Sequence, residues 1–254
     1  MSPPSGIREL ARRLGRARRL TVLTGAGVSA ASGIPTFRGP AGLWKSFRPE
    51  ELATPAAFAR DPRTVWEWYD WRRGLASRAR PNRAHEVLAA WSRRYPSFTL
   101  ITQNVDGLHE RAGTKNVIRF HGSLWEVGCA KRCDGGRRWT DERVPLPELP
   151  PPCPRCGDPM RPGVVWFGEP VGEEELSRAA EALDCDVFLV VGTSSIVHPA
   201  ASLAVGARGR GAWLAEINPE TTPESGRMDL EIAARAEEAL DEVEAILAAP
   251  EPPA

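Results

Sequence analysis

The chain is predicted to be an α/β protein, in which a mainly parallel sheet flanked by helices carries a smaller domain. Three observations predict this. Short apolar runs of strand length and β-branched content alternate with stretches whose apolar residues recur at helical spacing. Several of these runs stop abruptly in Gly-rich or polar clusters, as strands of an open parallel sheet do where they face a ligand crevice. One segment, Val127 to Pro162, breaks the alternation with cysteines, prolines, glycines and charges, and shows little hydrophobic periodicity.

At 254 residues the chain can bury one sizeable core, or one core and a small satellite module. Acidic and basic residues balance at 33 each, so no global pull toward nucleic acid or a membrane surface is expected. No run is long enough to span a bilayer, and MSPPSGIREL lacks the apolar core of a secretory signal. A cytoplasmic, reducing location is the expectation, in which five cysteines point to metal binding or buried thiols before disulfides.

Taken in order, Ile7 to Arg19 places Ile7, Leu10, Leu14 and Ala17 at the spacing of an amphipathic helix with a solvated arginine face. Leu20-Thr21-Val22-Leu23 reads as a buried strand, breaking into Gly25-Ala26-Gly27 and the small residues Val28 to Gly33. Such a strand end, followed by a helix N-terminus, leaves backbone N–H groups free to face an anion. The spacing is G-x-G-x5-G, neither the dinucleotide fingerprint nor a Walker A loop, so a nucleotide site and a tight strand–helix turn both fit it. Ile34-Pro35-Thr36-Phe37-Arg38 then adds an aromatic ring and a cation.

Asp61-Pro62 has the form of an N-cap and first helical residue, opening a helix through Arg73. A helix around Ala84 to Trp91 leads to a strand, Phe98 to Thr102, which ends in Gln103-Asn104-Val105-Asp106-Gly107. A short strand, Val117 to Phe120, ends at His121-Gly122-Ser123. After the cysteine segment, Val164 to Phe167 reads as a strand and Glu173 to Leu183 as a helix. The run Val187 to Val191 ends in Gly192-Thr193-Ser194, and Ala212 to Ile217 ends in Asn218-Pro219-Glu220. Glu231 to Leu247 reads as a closing helix, followed by a Pro-rich tail expected to be disordered.

Cys129-x3-Cys133 and Cys153-x2-Cys156 form two knuckles separated by residues 134–152. Four thiolates from two knuckles are a structural zinc set with no position left for a catalytic water; two disulfides are the alternative. His121 is placed to act as a general base near neutral pH, or is a structural histidine. Asn104 and Asp106 alternate as the chain leaves its strand, and the pair suits a carboxamide as well as it suits an Asx-turn.

Together GAGVSAASGIPTFRG, TQNVDGLH, FHGS, the cysteine pairs, VVWFGE, VGTSS and INPE resemble the sirtuins, the NAD-dependent protein deacylases, over nearly the whole chain. The resemblance implies one catalytic unit with a Rossmann-like core over approximately 1–36, 84–124 and 162–247. A small domain would combine a helical insertion at 37–83 with a zinc module at 125–161, holding one structural Zn2+. It implies NAD bound by Gly25, Ala26, Gly27, Ser29, Ala30, Pro35, Thr36, Phe37, Arg38 and Trp44, with Phe37 shielding the reactive ribose and Arg38 near the phosphates. Gln103 and His121 would meet the nicotinamide ribose; Asn104, Val105 and Asp106 the nicotinamide; and Gly192, Thr193, Ser194, Asn218, Pro219, Glu220 and Ala236 the adenosine end. His121 and Asn104 are the catalytic residues it implies, with an acyl-lysine peptide added as a strand along Val165, Phe167 and Gly168, opposite Ser195 to His198. In that chemistry the acyl oxygen displaces nicotinamide, and His121 deprotonates a ribose hydroxyl that attacks the resulting adduct. Acyl-lysine proteins would be the partners of a monomer. A plain deacetylase or a mono-ADP-ribosyltransferase would use the same pocket.

Tyr69 and Arg72 lie three apart on a predicted helix and so share a face. A phenol beside a guanidinium makes a carboxylate receptor. The same segment also reads as an aromatic helix with Trp66 and Tyr69 in the core and Arg72 in solvent. It resembles the Tyr-x-x-Arg of sirtuins that remove succinyl, malonyl and glutaryl groups, and Ala53 matches their small acyl-pocket residue. A preference for acidic acyl groups is the expectation.

Overall fold

The computed structural model describes residues 5–37, 42–43 and 48–249. Arg38, Trp44 and the tail from residue 250 onward lie outside the described residues. In chain order the chief elements are α1 (Ser5–Arg16), β1 (Arg19–Thr24), a 3-10 helix (Ala26–Ser32), α2 (Pro49–Leu52), α3 (Pro55–Arg60) and α4 (Pro62–Arg78). There follow α5 (Arg83–Arg94), β2 (Ser97–Thr102), α6 (Leu108–Arg111), β3 (Val117–Arg119), β4 (Gly122–Cys129), β5 (Arg138–Thr140) and β6 (Met160–Val164). The chain closes with α7 (Glu173–Glu181), β7 (Val187–Val191), α8 (Leu203–Arg208), β8 (Trp213–Ile217), β9 (Leu230–Ile232) and α9 (Ala236–Ala248).

The apolar runs lack alternation because both of their faces are covered. In β7, Val187, Leu189 and Val191 enter one core while Phe188 and Val190 enter another. The first core lies under α1, α5 and α9, whose stripes include Leu10, Leu14, Leu88, Trp91, Leu240 and Val243. The second lies under α7 and α8, around Phe120, Ala179 and Ala204. Between them runs a six-stranded sheet in the order β3-β2-β1-β7-β8-β9, every pair parallel. All six strands therefore end on one edge.

The helix starts follow from their capping residues. Asp61 accepts from the backbone N–H of Thr64 at 3.0 Å ahead of Pro62, as its sequence predicts. Asn82 caps α5, accepting from Ala84 N–H at 3.0 Å, and His85 completes the reciprocal bond to Asn82 N–H.

Two element readings are corrected. The strand expected at Val164 to Phe167 is Met160–Val164 instead, and it belongs to a separate antiparallel sheet, β5-β4-β6. The N–H groups of Val165 and Phe167 are spent on His121 O and Ala53 O, so that segment cannot continue the ladder. The closing helix does not start at Glu231: Leu230–Ile232 pairs with β8 as the last strand, and α9 begins at Ala236. Three residues are too few for a period to show.

The cysteine segment builds no core alone. Val127, Cys129, Leu146, Cys153 and Met160 share a third core with Phe58, Val65, Trp66, Trp68 and Tyr69 of α3 and α4. Trp66 Nε1 donates to Met160 O at 2.7 Å across that contact. Among the described residues, no helix is long and apolar enough to cross a membrane.

Candidate active site

The carboxyl ends of β1, β2, β7 and β8 place Gly25, Gln103, Gly192 and Asn218 side by side. Gly25 N–H donates to Val191 O at 3.1 Å, and Gly27 N–H to Gly192 O at 2.8 Å. The glycines serve this contact first. A Cβ on Gly27 would lie 2.7 Å from Gly192 Cα, and one on Gly192, where φ is +60°, 2.7 Å from Val28 N. The loop after β1 is a 3-10 turn seated on the loop after β7, not the start of an α-helix.

Side chains knit the same edge together. Gln103 Nε2 donates to Thr193 Oγ1 at 2.8 Å, and Asn218 Nδ2 to Thr193 O at 2.7 Å. Asn104 Nδ2 donates to Gly25 O at 3.0 Å and to Ser29 Oγ at 3.2 Å, which spends both its amide protons and leaves Oδ1 as its free function. Ser29 Oγ donates to Asp106 Oδ2 at 2.8 Å, while Leu108 N–H donates to Asp106 Oδ1 at 2.9 Å. Burial raises the Asp106 carboxyl above the usual carboxylate range against those two bonds.

His121 stands between the sheets, after β3 and before β4. Gly122 makes that junction possible: its φ is +79°, and a Cβ there would meet Gly163 O at 2.2 Å. Desolvation lowers the His121 pKa below 6.5, with a hydrogen bond to the Gln103 backbone opposing it. The ring is therefore neutral near pH 7 and keeps a lone pair to take a proton.

These residues open into one cavity of about 700 Å³. Gly25, Ala26, Gly27, Ala30, Thr36, Phe37, Gln103, Asn104, Val105 and His121 line it, with Gly192, Thr193, Ser194, Asn218, Pro219, Glu220 and Ala236 at the other end. Ala53, Tyr69, Arg72, Val165, Phe167 and Gly168 line it too. Ser29, Pro35 and Asp106 face a small adjoining recess.

Neither simple reading of Tyr69 and Arg72 is quite what is found. Tyr69 is buried in the third core, yet Arg72 is not in bulk solvent. The Arg72 guanidinium carbon lies 4.9 Å from the Phe37 ring centre, 4.8 Å from Trp68 and 5.6 Å from Tyr69. Among the described residues no carboxylate or carbonyl hydrogen-bonds or ion-pairs with it; three rings and the cavity surround it, and the Asp106 carboxylate, which lines the same small recess, acts on its charge at longer range. Burial lowers its pKa, but an arginine stays charged at working pH. Tyr69 Oη accepts from Trp166 Nε1 at 3.0 Å, and desolvation pushes the phenol up to about 12.

Sequence reasoning missed Trp68, Arg235, Glu237 and Thr221 to Pro223, which also line the cavity. Arg235 and Glu237 flank the true start of α9, so the misplaced helix start hid them. Trp68, next to Tyr69, carries no motif, and only the fold shows that it faces the cavity.

The four cysteines meet at the ends of β4 and the 153–156 turn. All four sulfurs lie within 4.8 Å of one another, with Cys129–Cys156 at 3.6 Å and Cys133–Cys153 at 3.7 Å. Thiolates about 2.3 Å from a tetrahedral zinc stand about 3.8 Å apart, so the cluster fits that ion. All five cysteines are free, which removes the disulfide alternative.

The Sir2 family model matches residues 25–199, a span that includes the glycine loop, His121 and all four clustered cysteines. The chain belongs to the Sir2 family. This Sir2 protein is 52% identical to the NAD-dependent protein deacylase of Aquifex aeolicus over 88% of its own length and 93% of the relative's. It is 48% identical to NAD-dependent protein deacylase 1 of Archaeoglobus fulgidus, over 92% and 95%. Among solved structures it is similar to a Sir2 homologue in complex with NAD, with a TM-score of 0.88, 46% identity, and 94% and 93% coverage. A Sir2 protein holding a deacetylated p53 peptide and 3′-O-acetyl ADP-ribose is similar at 31% identity, with a TM-score of 0.87 and coverage of 94% and 98%.

Proposed function

We infer that this Sir2-family protein is an NAD-dependent protein-lysine deacylase, and that it prefers acyl groups ending in a carboxylate (succinyl, malonyl or glutaryl) over acetyl. The names of its relatives support the activity. The observation that carries the preference is Arg72, a cation facing the cavity among aromatic rings, next to the Tyr69 phenol, with no hydrogen-bonded or ion-paired carboxylate among the described residues and only Asp106 acting on it at longer range. A substrate carboxylate completes that site by giving the guanidinium an acceptor it otherwise lacks.

NAD, consumed in the reaction, supplies the electrophilic sugar carbon and the nicotinamide leaving group. The chain's residues do the remaining work. The strand-end loops Gly25–Gly27 and Gly192–Ser194, with Asn218 to Glu220 and Ala236, hold the dinucleotide. Asn104 offers Oδ1 as an acceptor, and Asp106 stands in the recess where a carboxamide fits. Phe37 covers the ribose against water, and neutral His121 takes the proton of a ribose hydroxyl. The N–H groups of Val165, Trp166 and Phe167 are already used within the fold, so it is the Val165 carbonyl and the backbone around Gly168 that meet an extended acyl-lysine peptide, with Ala53 leaving room for the longer acyl chain. The zinc cysteines hold the fold and take no part in the chemistry.

The test is kcat/KM on succinyl- and acetyl-lysine versions of one peptide. A higher value for succinyl is expected, and Arg72→Met is expected to depress desuccinylation at least tenfold more than deacetylation. A clear acetyl preference by the wild-type enzyme refutes the acidic-acyl reading while leaving deacylation intact.

A further inference from the structure

Tyr69 is buried to 2% exposure, and its one described hydrogen bond is accepted, not donated. Trp166 Nε1 donates to it at 3.0 Å, and an indole N–H can do nothing but donate. That fixes the polarity of the phenol. One lone pair of Tyr69 Oη is occupied by the indole, so its own proton has to leave in another direction. Among the described residues no acceptor takes that proton, while the tyrosine lines the cavity beside Arg72.

Trp166 is itself held tightly. It is 3% exposed, with the Phe58 ring tilted against it at 5.3 Å and the Arg161 guanidinium carbon 3.9 Å from its ring centre. Glu169 accepts from Arg161 at 2.6 and 2.8 Å and from the Trp166 backbone N–H at 2.9 Å. A cation over the indole face draws electron density from the ring and makes its N–H a better donor. Accepting that bond in turn makes the phenol O–H a better donor, because chained hydrogen bonds polarise one another.

We propose that Trp166 is a positioning residue for acyl selectivity: its indole N–H, backed by Arg161 and Glu169, holds the Tyr69 hydroxyl as a donor aimed at the carboxylate of an acidic acyl group. The assignment rests on the acidic-acyl reading of Tyr69 and Arg72. Without the indole N–H, the phenol is free to turn its proton elsewhere and has to be reoriented each time the substrate binds.

The experiment is a double-mutant cycle of Trp166→Phe and Tyr69→Phe, measured on succinyl- and acetyl-lysine peptides. The carboxylate is bound alike in ground and transition states, so the loss belongs in KM. Trp166→Phe is expected to raise KM for the succinyl peptide roughly two- to fivefold relative to the acetyl peptide, the size of a weakening by about 10–30% of one charge-assisted hydrogen bond together with the loss of its fixed orientation. In the Tyr69→Phe background the same substitution is expected to change the succinyl-to-acetyl ratio no further. To separate shape from hydrogen bonding, β-(3-benzothienyl)alanine incorporated at position 166 keeps the bicyclic ring but puts sulfur where the N–H was, and it is expected to reproduce the KM effect. Equal losses on both acyl groups, or effects of the two substitutions that multiply, would overturn the proposal. If Arg72→Met and Tyr69→Phe lower the ratio but neither position-166 replacement does, Trp166 is excluded and the acidic-acyl reading stands. A wild-type enzyme without that preference removes both.

Discussion

At the residue scale, the site is a set of groups whose surroundings decide their protonation. His121 has no carboxylate among the causes of its shift, and burial disfavours its charged form. A base with a lowered pKa stays competent in mild acid. The acid limb of kcat/KM against pH, taken on an acyl-lysine peptide with NAD in fixed excess, is therefore expected to have its midpoint below 6.5. The limb is expected to disappear, along with turnover, in His121→Ala. A midpoint above 7 would mean that a different group, or an imidazolium stabilised by a nearby anion, controls the step. The order of this site was legible in the sequence because its motifs lie at strand ends, where side-chain type and chain direction are fixed together. What Asn104 can still offer was not legible. That its two amide protons go to Gly25 O and Ser29 Oγ depends on how closely the loops after β1 and β2 pack.

At the scale of elements, the long and strongly periodic pieces were legible and the short or sheet-switching ones were not. β1, β2 and β7, and the helix that Asp61 caps, follow from apolar runs and capping residues. β9 is three residues long, and β6 belongs to a sheet whose pairing is decided by Gly122 and Gly163, far apart in sequence. A less visible element contact joins His85 of α5 and His109 of α6, whose rings lie 4.8 Å apart, tilted at 52°, both buried. Thr24 Oγ1 at the end of β1 lies 3.0 Å from His109 Nε2, while Asn82, paired with His85, donates to Val28 O at 2.8 Å. The imidazoles thus brace the strand and the turn that carry the glycine loop. Desolvation lowers both to about 3, so each is neutral when folded and takes a proton on unfolding below 6.5. The unfolded state then binds more protons, and stability must fall as pH drops from 6.5 toward 3. The expected slope is about 1.4 kcal/mol per pH unit for each histidine. Urea unfolding at pH 7 and pH 5 would measure it. His85→Gln, which cannot titrate, is expected to flatten that slope by about half, and an unchanged slope would show that these rings do not control acid stability.

At the scale of the whole molecule, the four-cysteine cluster and the Ala53–Tyr69 end of the cavity share one core. Cys129 and Cys153 pack in the same apolar cluster as Trp66, Trp68, Tyr69 and Trp166. The small sheet is only three strands, and the cysteine segment has few large apolar residues of its own. Its folding free energy has to come largely from the metal, since a site absent from the unfolded chain converts binding energy into folding energy. Two of the six-stranded sheet's cores contain none of the four clustered cysteines. Removing zinc is therefore expected to loosen the third core while leaving the parallel sheet largely folded. That core positions Ala53 and Tyr69 and lies beneath Arg72, so on the proposed reading acyl recognition is expected to fail before the dinucleotide end does. On treatment with a strong chelator, near-ultraviolet circular dichroism from the tryptophans is expected to fall much more than the far-ultraviolet signal. Deacylation is expected to be lost in parallel and to return on adding back one equivalent of zinc. Retention of both the aromatic signal and activity in demonstrably metal-free protein would show that the four-cysteine cluster does not hold this core. Complete loss of the far-ultraviolet signal would show instead that the two sheets fold as one cooperative unit, with the metal stabilising all of it.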